Sequence, residues 1–154
     1  MGSALRSSSA KAANRTDVLL LDASIWVLLV DPEDPQHSDS VTLIRDHAPS
    51  LAALDLTLYE IANAIGAKRG NLGEATNVIR LVLACCRDRV VSADQELIES
   101  ALGIAAEHKL TAYDAAYVAV ARRYGWTLVS TDVADLVSRG LAVTPGAADY
   151  PLSG

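Results

Sequence analysis

Four acidic side chains stand at positions where they could act together chemically: Asp22, Glu60, Asp114 and Asp132. Asp22 directly follows one apolar run, and Asp132 comes shortly after another. Glu60 and Asp114 lie in the first turns of two predicted helices. Carboxylates gathered at one place repel one another unless protons or a cation compensate. Mg²⁺ takes oxygen ligands, usually one or two carboxylates with water and substrate phosphate, so this set favours phosphodiester chemistry.

Each of these acids also has an ordinary structural explanation. Thr57 with Glu60, and Thr111 with Asp114, match the capping box, in which a threonine and an acid three residues later stabilise a helix start. The other two acids suit a turn and a helix N-cap. Taken singly, each acid is more often structural than catalytic. The convergence of all four at one edge of a sheet is what favours a metal site.

Alternating strands and helices are expected to position the acids. Apolar runs predict strands at 18–21, 51–56 and 127–130, with short strands at 89–91 and 141–143. Helical patterns cover 24–30, 38–47, 57–68, 74–86, 93–107 and 112–124, and Asp132 starts a short helix. This alternation implies right-handed crossovers and a parallel sheet between helices. Ligands of such α/β sheets bind outside the carboxyl ends of the strands, where Asp22 and Asp132 fall.

The length of 154 residues suits one domain, which we assign to residues 17–154, with residues 1–16 as a flexible N-terminal extension. The longest apolar run, 18–30, is shorter than a membrane span, and no secretory signal is recognisable. We therefore expect a cytoplasmic protein. The adjacent Cys85 and Cys86 lie on an apolar helical run and are predicted to be reduced core residues.

The charge balance bears on the kind of nucleic-acid contact that is possible. The net charge is −6 and the isoelectric point about 4.9, which argues against a protein that coats duplexes through many phosphate contacts. Residues 61–93 reverse this balance and are the candidate RNA-backbone surface, with Lys68, Arg69, Arg80 and Arg87 as its contacts. A solvated helix face explains the same charges equally well.

Four segments of the chain closely resemble the PIN domains of the VapC toxins. They are LLLDASIW (19–26), LTLYEIANAI (56–65), LTAYDAAYVAVARRYG (110–125) and LVSTDVADL (128–136). The third is the specific one, and the others are short. The resemblance runs from about residue 18 to residue 143.

The resemblance implies a three-layer α/β/α sandwich with a parallel sheet of four or five strands, and an acidic pocket that binds Mg²⁺ or Mn²⁺. By matched position, all four acids named above inherit the metal-holding and catalytic role, with Asp22 and Asp114 as the direct ligands. Ser24, Asn63 and Thr131 are implied as neighbouring groups that orient carboxylates or water. Asn63 fits an ordinary helix residue equally well.

The resemblance also implies a function. A VapC-type PIN domain is an endoribonuclease, the toxin of a type II toxin–antitoxin pair, in which a metal-activated water hydrolyses RNA phosphodiester bonds. The products would carry 5′-phosphate and 3′-hydroxyl ends. The implied partners are a second copy of the chain in a homodimer and a VapB-like cognate antitoxin, a segment of which wraps the domain and blocks the acidic pocket.

Two other function classes remain open. A phosphatase of the haloacid dehalogenase type also places an aspartate after its first strand, but that class needs Asp-x-Asp where this chain has DAS at residues 22–24. A non-catalytic PIN-like binding module would use the acids only as caps and turns, and a metal titration would separate it from an enzyme. Histidine-based chemistry has little support, because His37, His47 and His108 are scattered and predicted to be exposed.

Overall fold

The computed structural model describes residues 18–148, so the predicted extension at 1–16 lies outside the described residues. Four strands form one parallel sheet: β1 Leu19–Leu21, β2 Leu51–Leu54, β3 Val90–Val91 and β4 Thr127–Val129. Their order in the sheet is β3-β2-β1-β4, which puts β1 and β2 in the interior of the sheet. The predicted parallel α/β sheet is confirmed.

Helices connect the strands. They are α1 Ala23–Val27, α2 His37–His47, α3 Asp55–Ile61, α4 Leu72–Cys86, α5 Gln95–His108, α6 Ala112–Tyr124 and α7 Pro145–Ala148. The π-helical segment Ala62–Lys68 continues α3, and a π-helical turn, Val133–Val137, follows β4. Gly125 ends α6 in the left-handed conformation with φ 68°, a position that favours glycine.

Side chains alternate between the two faces of the sheet, because successive strand residues point to opposite sides. Leu19 and Leu21 pack into one core with residues of α1 to α4. Leu20 and Leu128 pack into a second core with residues of α5, α6 and the π-helical turn. Helices therefore cover both faces, as the three-layer α/β/α prediction required. A strand buried on both sides needs the uninterrupted apolar run that this sequence has at β1.

Two predicted boundaries are wrong. Strand β2 ends at Leu54 and α3 begins at Asp55, two residues before the predicted start at Thr57. The reason is local: Leu54 takes the extended N-cap conformation, and its N–H donates to the Thr57 hydroxyl at 3.3 Å. The predicted terminal strand at 141–143 is reduced to a single parallel bridge between Val129 and Val143.

The described part of the chain contains no helix long and apolar enough to span a membrane. Cys86 is buried, Cys85 is half-buried, and both are free thiols, in agreement with their prediction as reduced core residues. Burial raises the pKa of the Cys86 thiol to about 12, so it stays protonated and unreactive at neutral pH.

Candidate active site

Asp22 lies at the carboxyl end of β1, between the ends of β2 and β4. Its N–H donates to the Val129 carbonyl at 3.2 Å, which extends the β1–β4 pairing by one residue. Its carboxylate caps α1 by accepting the Ser24 N–H at 3.1 Å, and it also accepts the Ser24 hydroxyl. Only 7% of Asp22 is exposed. The strand end and the helix start together fix a buried carboxylate in one orientation.

Burial dominates the electrostatics of this carboxylate. Loss of hydration raises the pKa of Asp22 to about 6; the hydroxyls of Ser130 and Ser24 oppose the rise, and the charge of Glu60 adds to it. A carboxylate that is poorly hydrated and faces another acid is stabilised by a proton or by a cation. At neutral pH its ionised form is therefore a good cation ligand.

Ser130 connects two of the predicted acids and was missed by the sequence reasoning. It is fully buried, its hydroxyl bonds to the Asp22 carboxylate, and its oxygen accepts the Asp132 N–H at 3.0 Å. Asp132 in turn caps the π-helical turn by accepting the Asp135 N–H at 2.9 Å, as predicted for an N-cap. Thr131 contributes its N–H, which donates to the Ser24 hydroxyl at 3.2 Å.

Glu60 lies in the second turn of α3, because the helix starts earlier than predicted. The Thr57–Glu60 capping box is therefore wrong, and the half-buried Glu60 carboxylate accepts a hydrogen bond from the Tyr117 hydroxyl at 2.7 Å instead. Burial raises the pKa of Glu60, the Tyr117 hydrogen bond opposes this, and the charge of Asp114 adds to it. Neither Tyr117 nor this contact was foreseen.

Asp114 lies in the first turn of α6, where its N–H donates to the Thr111 hydroxyl at 3.1 Å. Thr111 is thus the predicted N-cap. Burial raises the pKa of Asp114, and the neighbouring charges of Asp132 and Asp135 raise it further against the hydrogen bond from Thr111. Charge coupling therefore runs from Asp22 through Glu60 and Asp114 to Asp132, at the edge of the sheet that the sequence predicted.

The donor set fits Mg²⁺ or Mn²⁺ in chemical type, since all four groups are hard oxygen ligands and three of them have raised pKa values. Within residues 18–148, no three acidic, histidine or cysteine side chains are gathered closely enough to hold one ion by themselves. Mg²⁺ does not require three protein ligands, because it commonly binds one or two carboxylates and keeps water in its other positions.

A cleft of about 300 Å³ opens beside Glu60, between α1 and the π-helical segment. Ser24, Asn63 and Lys68, all named from the sequence, line this cleft. Lys68 is exposed and brings a positive charge to the side of the acids.

The other basic residues lie elsewhere. The Arg69 guanidinium contacts the Asp31 carboxylate at 3.5 Å and the Val30 carbonyl at 3.3 Å, while Arg80 is exposed on α4. Arg87 lies beside Pro49, which precedes β2. It is therefore near the amino ends of the strands, whereas the acids lie near the carboxyl ends.

The histidines were predicted to be exposed, and this was wrong, because all three are half-buried. His37 shows the reason: its Nδ1 lies 2.6 Å from the Leu28 carbonyl, so the ring supports the turn before α2. Its role there is structural.

Comparison with known proteins identifies a family. The family model for the PIN domain matches residues 19–135. Ribonuclease VapC3 of Pyrobaculum aerophilum is 35% identical over 118 residues, which span 74% of this chain and 88% of that protein.

Solved structures give the same fold. A crystal structure of a Pyrobaculum aerophilum protein covers 84% of this chain and 85% of its own, with a TM-score of 0.63 and 29% identity. A toxin–antitoxin complex from Klebsiella pneumoniae covers 82% of this chain and 97% of its own, with a TM-score of 0.62 and 22% identity. The sequence and structural matches extend over most of the chain, and it therefore belongs to the PIN-domain family, with a VapC ribonuclease among its relatives.

Proposed function

We propose that this protein is a Mg²⁺- or Mn²⁺-dependent endoribonuclease and the toxin of a type II toxin–antitoxin pair. The observation that carries the proposal is the buried, oriented Asp22 carboxylate at the end of a central strand, electrostatically coupled to Glu60. The ribonuclease name of the 35% identical relative supports the same substrate class.

Each acid has a distinct part in this proposal. Asp22 and Asp114 hold the cation directly, and Glu60 and Asp132 complete the negative field around it. Ser24 and Ser130 keep the Asp22 carboxylate oriented through their hydroxyls. A bound divalent cation would supply neutralisation of phosphate charge and a more acidic attacking water.

RNA would approach along the cleft that Lys68 and Asn63 line. In this proposal Lys68 neutralises a backbone phosphate near Glu60, and the Asn63 amide forms a hydrogen bond to the RNA or to Glu60. Arg69 and Arg80 are candidates for more distant phosphate contacts. Arg87 takes no part in this proposal, because it lies at the far edge of the sheet.

The alternatives explain the site less well. In a non-catalytic binding module, the buried Asp22 would serve only as the N-cap of α1. An exposed aspartate provides the same cap without the free-energy cost of desolvating a carboxylate. The dehalogenase-type reading needs a second aspartate at position 24. The serine found there donates to Asp22, so it acts as an orienting group.

Cleavage of a structured RNA under single-turnover conditions tests the activity. Cleavage is expected with Mg²⁺ or Mn²⁺ and not with EDTA, and Asp114→Asn should abolish it. Asp88→Asn is the matched control, because Asp88 is a largely exposed acid beside Arg89, outside the site. Equal cleavage with EDTA, or by the Asp114 variant, would refute the assignment.

We further propose an antitoxin partner and a cytoplasmic location, where RNA and antitoxin are available. The Klebsiella pneumoniae structure with the same fold is a toxin–antitoxin complex, which supports such a partner. Induction of the chain alone should arrest bacterial growth, and induction of Asp114→Asn should not. Normal growth with folded wild-type protein present would count against the toxin role.

We also propose that the protein forms a homodimer through one apolar face, defined by Tyr59, Ile98, Leu102 and Tyr113. These four side chains are between 53% and 77% exposed and border a groove of about 350 Å³ that is also lined by Ala101, Ala112 and Ala116. Large exposed side chains beside small alanines can interlock with a second copy about a two-fold axis.

Light scattering during gel filtration tests the dimer. The wild type should elute as a dimer, and Ile98→Lys as a monomer. Leu72→Lys is the control, since Leu72 is also exposed but lies on α4, away from the apolar face. A dimer that persists in Ile98→Lys would show that association uses another surface.

A further inference from the structure

Three hydrogen bonds connect the end of β2 to Glu60. The Leu54 N–H lies 3.3 Å from Thr57 Oγ1, Thr57 Oγ1 lies 2.8 Å from Tyr117 Oη, and Tyr117 Oη lies 2.7 Å from Glu60 Oε1. Thr57 is fully buried, and Tyr117 is only 2% exposed. The two hydroxyls therefore lie in the core, behind the Glu60 carboxylate and away from solvent.

The direction of these bonds follows from counting donors. An ionised carboxylate can only accept, so the single Tyr117 hydroxyl proton points to Glu60. Thr57 must then donate its own proton to Tyr117, and it accepts the Leu54 N–H in return. In this arrangement the Leu54 N–H and both hydroxyl protons have an acceptor. The three hydrogen bonds all run in one direction, from Leu54 to the Glu60 carboxylate.

We propose that Tyr117, held by Thr57, is a positioning residue that fixes the Glu60 carboxylate toward the cation site while its second oxygen stays free for the cation or its water. This inference rests on the proposed metal-dependent activity. Glu60 itself lies on α3, whereas Tyr117 lies on α6, so the hydroxyl also ties together the two helices that carry Glu60 and Asp114.

A purely structural tyrosine would behave differently. Burial of a phenol requires a hydrogen-bond partner, and Thr57 alone could provide one. Loss of a structural hydroxyl lowers the melting temperature by the same amount at every metal concentration. Loss of a positioning hydroxyl instead weakens metal binding, typically by about 10- to 100-fold for groups that orient metal ligands.

The test is a Mg²⁺ or Mn²⁺ titration followed by thermal melting in the absence of RNA, which does not depend on activity. We expect Tyr117→Phe to need about tenfold more metal for half of the stabilisation, at the lower end of that range. Thr57→Val should shift the midpoint in the same direction by less, since Tyr117 can still donate to Glu60. Thr57→Ser keeps the hydroxyl and should behave as wild type.

Tyr124→Phe is the matched control, because Tyr124 lies at the end of the same helix, is 42% exposed and belongs neither to the acidic site nor to the apolar face. RNA cleavage by Tyr117→Phe should fall at low metal and recover when the metal is raised. A wild-type midpoint in folded Tyr117→Phe would overturn the inference, and if that variant does not fold, a wild-type midpoint in Thr57→Val would do so. Absence of any metal response in the wild type would instead refute the proposed function and this inference together.

Discussion

The acidic site consists of two unlike halves. The inner pair, Asp22 and Glu60, is held by side-chain hydroxyls that come from other parts of the chain, Ser130 and Tyr117. The outer pair, Asp114 and Asp132, lies at the starts of helical segments, where the acids or their own N–H groups take part in capping. The inner pair thus uses tertiary contacts, to which Asp22 adds a local cap of α1, whereas the outer pair relies on local contacts alone.

This difference separates two uses of a carboxylate. A helix start stabilises an acid wherever it occurs, so the outer pair gives little information about chemistry when considered alone. Deep burial of Asp22 raises its pKa, which means that the fold is less stable with this group ionised. Such an arrangement is compensated when a cation binds, and the following predictions test the contrast between the two halves.

The largest expected effect concerns Asp22 in metal-free protein. Because its folded pKa of about 6 lies above the ordinary value of 3.8, the folded state binds the proton more tightly. Stability should therefore fall as pH rises from about 4 to about 6, by up to about 3 kcal/mol for a shift of this size. Thermal melts in EDTA should show this fall in the wild type.

Asp22→Asn should remove the part of that pH dependence that comes from Asp22, leaving the contributions of Glu60 and Asp114, whose pKa values are also raised. The amide retains much of the capping ability and carries no charge, so the variant should melt above the wild type at pH 7 in EDTA. A variant that melts lower at pH 7 and follows the wild-type pH profile would mean that burial of the ionised Asp22 carboxylate does not destabilise the fold.

A slightly smaller effect is expected from metal binding. Wild-type protein should gain about 2.7 kcal/mol when free Mg²⁺ or Mn²⁺ is about 100-fold above its Kd, since the unfolded chain lacks the site. Asp114→Asn removes one charge from the coupled acids, so without metal it should melt at or above the wild type, and its gain with metal should shrink. Equal metal responses of the two proteins would show that Asp114 only stabilises the start of α6 and does not bind the metal.

The smallest effect should come from the cap of the outer pair. Thr111→Ala removes the hydroxyl that accepts the Asp114 N–H and should lower stability by about 1 kcal/mol. The metal concentration for half-maximal stabilisation should stay close to that of the wild type, since α6 remains packed in the core. A large change in that midpoint would mean that the helix start itself orients Asp114 for the metal.

For the candidate site, the sequence allowed prediction of the features that depend on local pattern. Asp22 and Asp132 were identifiable because each follows a buried strand, and the Thr111 cap because its partner is three residues away. Tyr117 was not identifiable in this way. It lies 57 residues from Glu60 along the chain, and its contact exists only after α3 and α6 pack together.

One error and one unexpected exposure have the same origin. The Thr57–Glu60 pattern matches a capping box, but Thr57 is buried against Tyr117 and the helix begins two residues earlier. On α5, Ile98 and Leu102 belong to the apolar helical pattern and are nevertheless exposed on the apolar face. Local patterns describe what an element can bury, and tertiary packing decides which of these side chains is buried.

The most direct test of the central claim is the rate of RNA cleavage by Asp22→Asn with saturating Mg²⁺, beside wild type and Asp88→Asn. Loss of several kcal/mol of charge stabilisation corresponds to a fall of about 100-fold or more, and we predict such a fall for a variant that remains folded. Asp88→Asn should cleave at the wild-type rate. Cleavage by folded Asp22→Asn at the wild-type rate would contradict the assignment of this buried carboxylate to the active site.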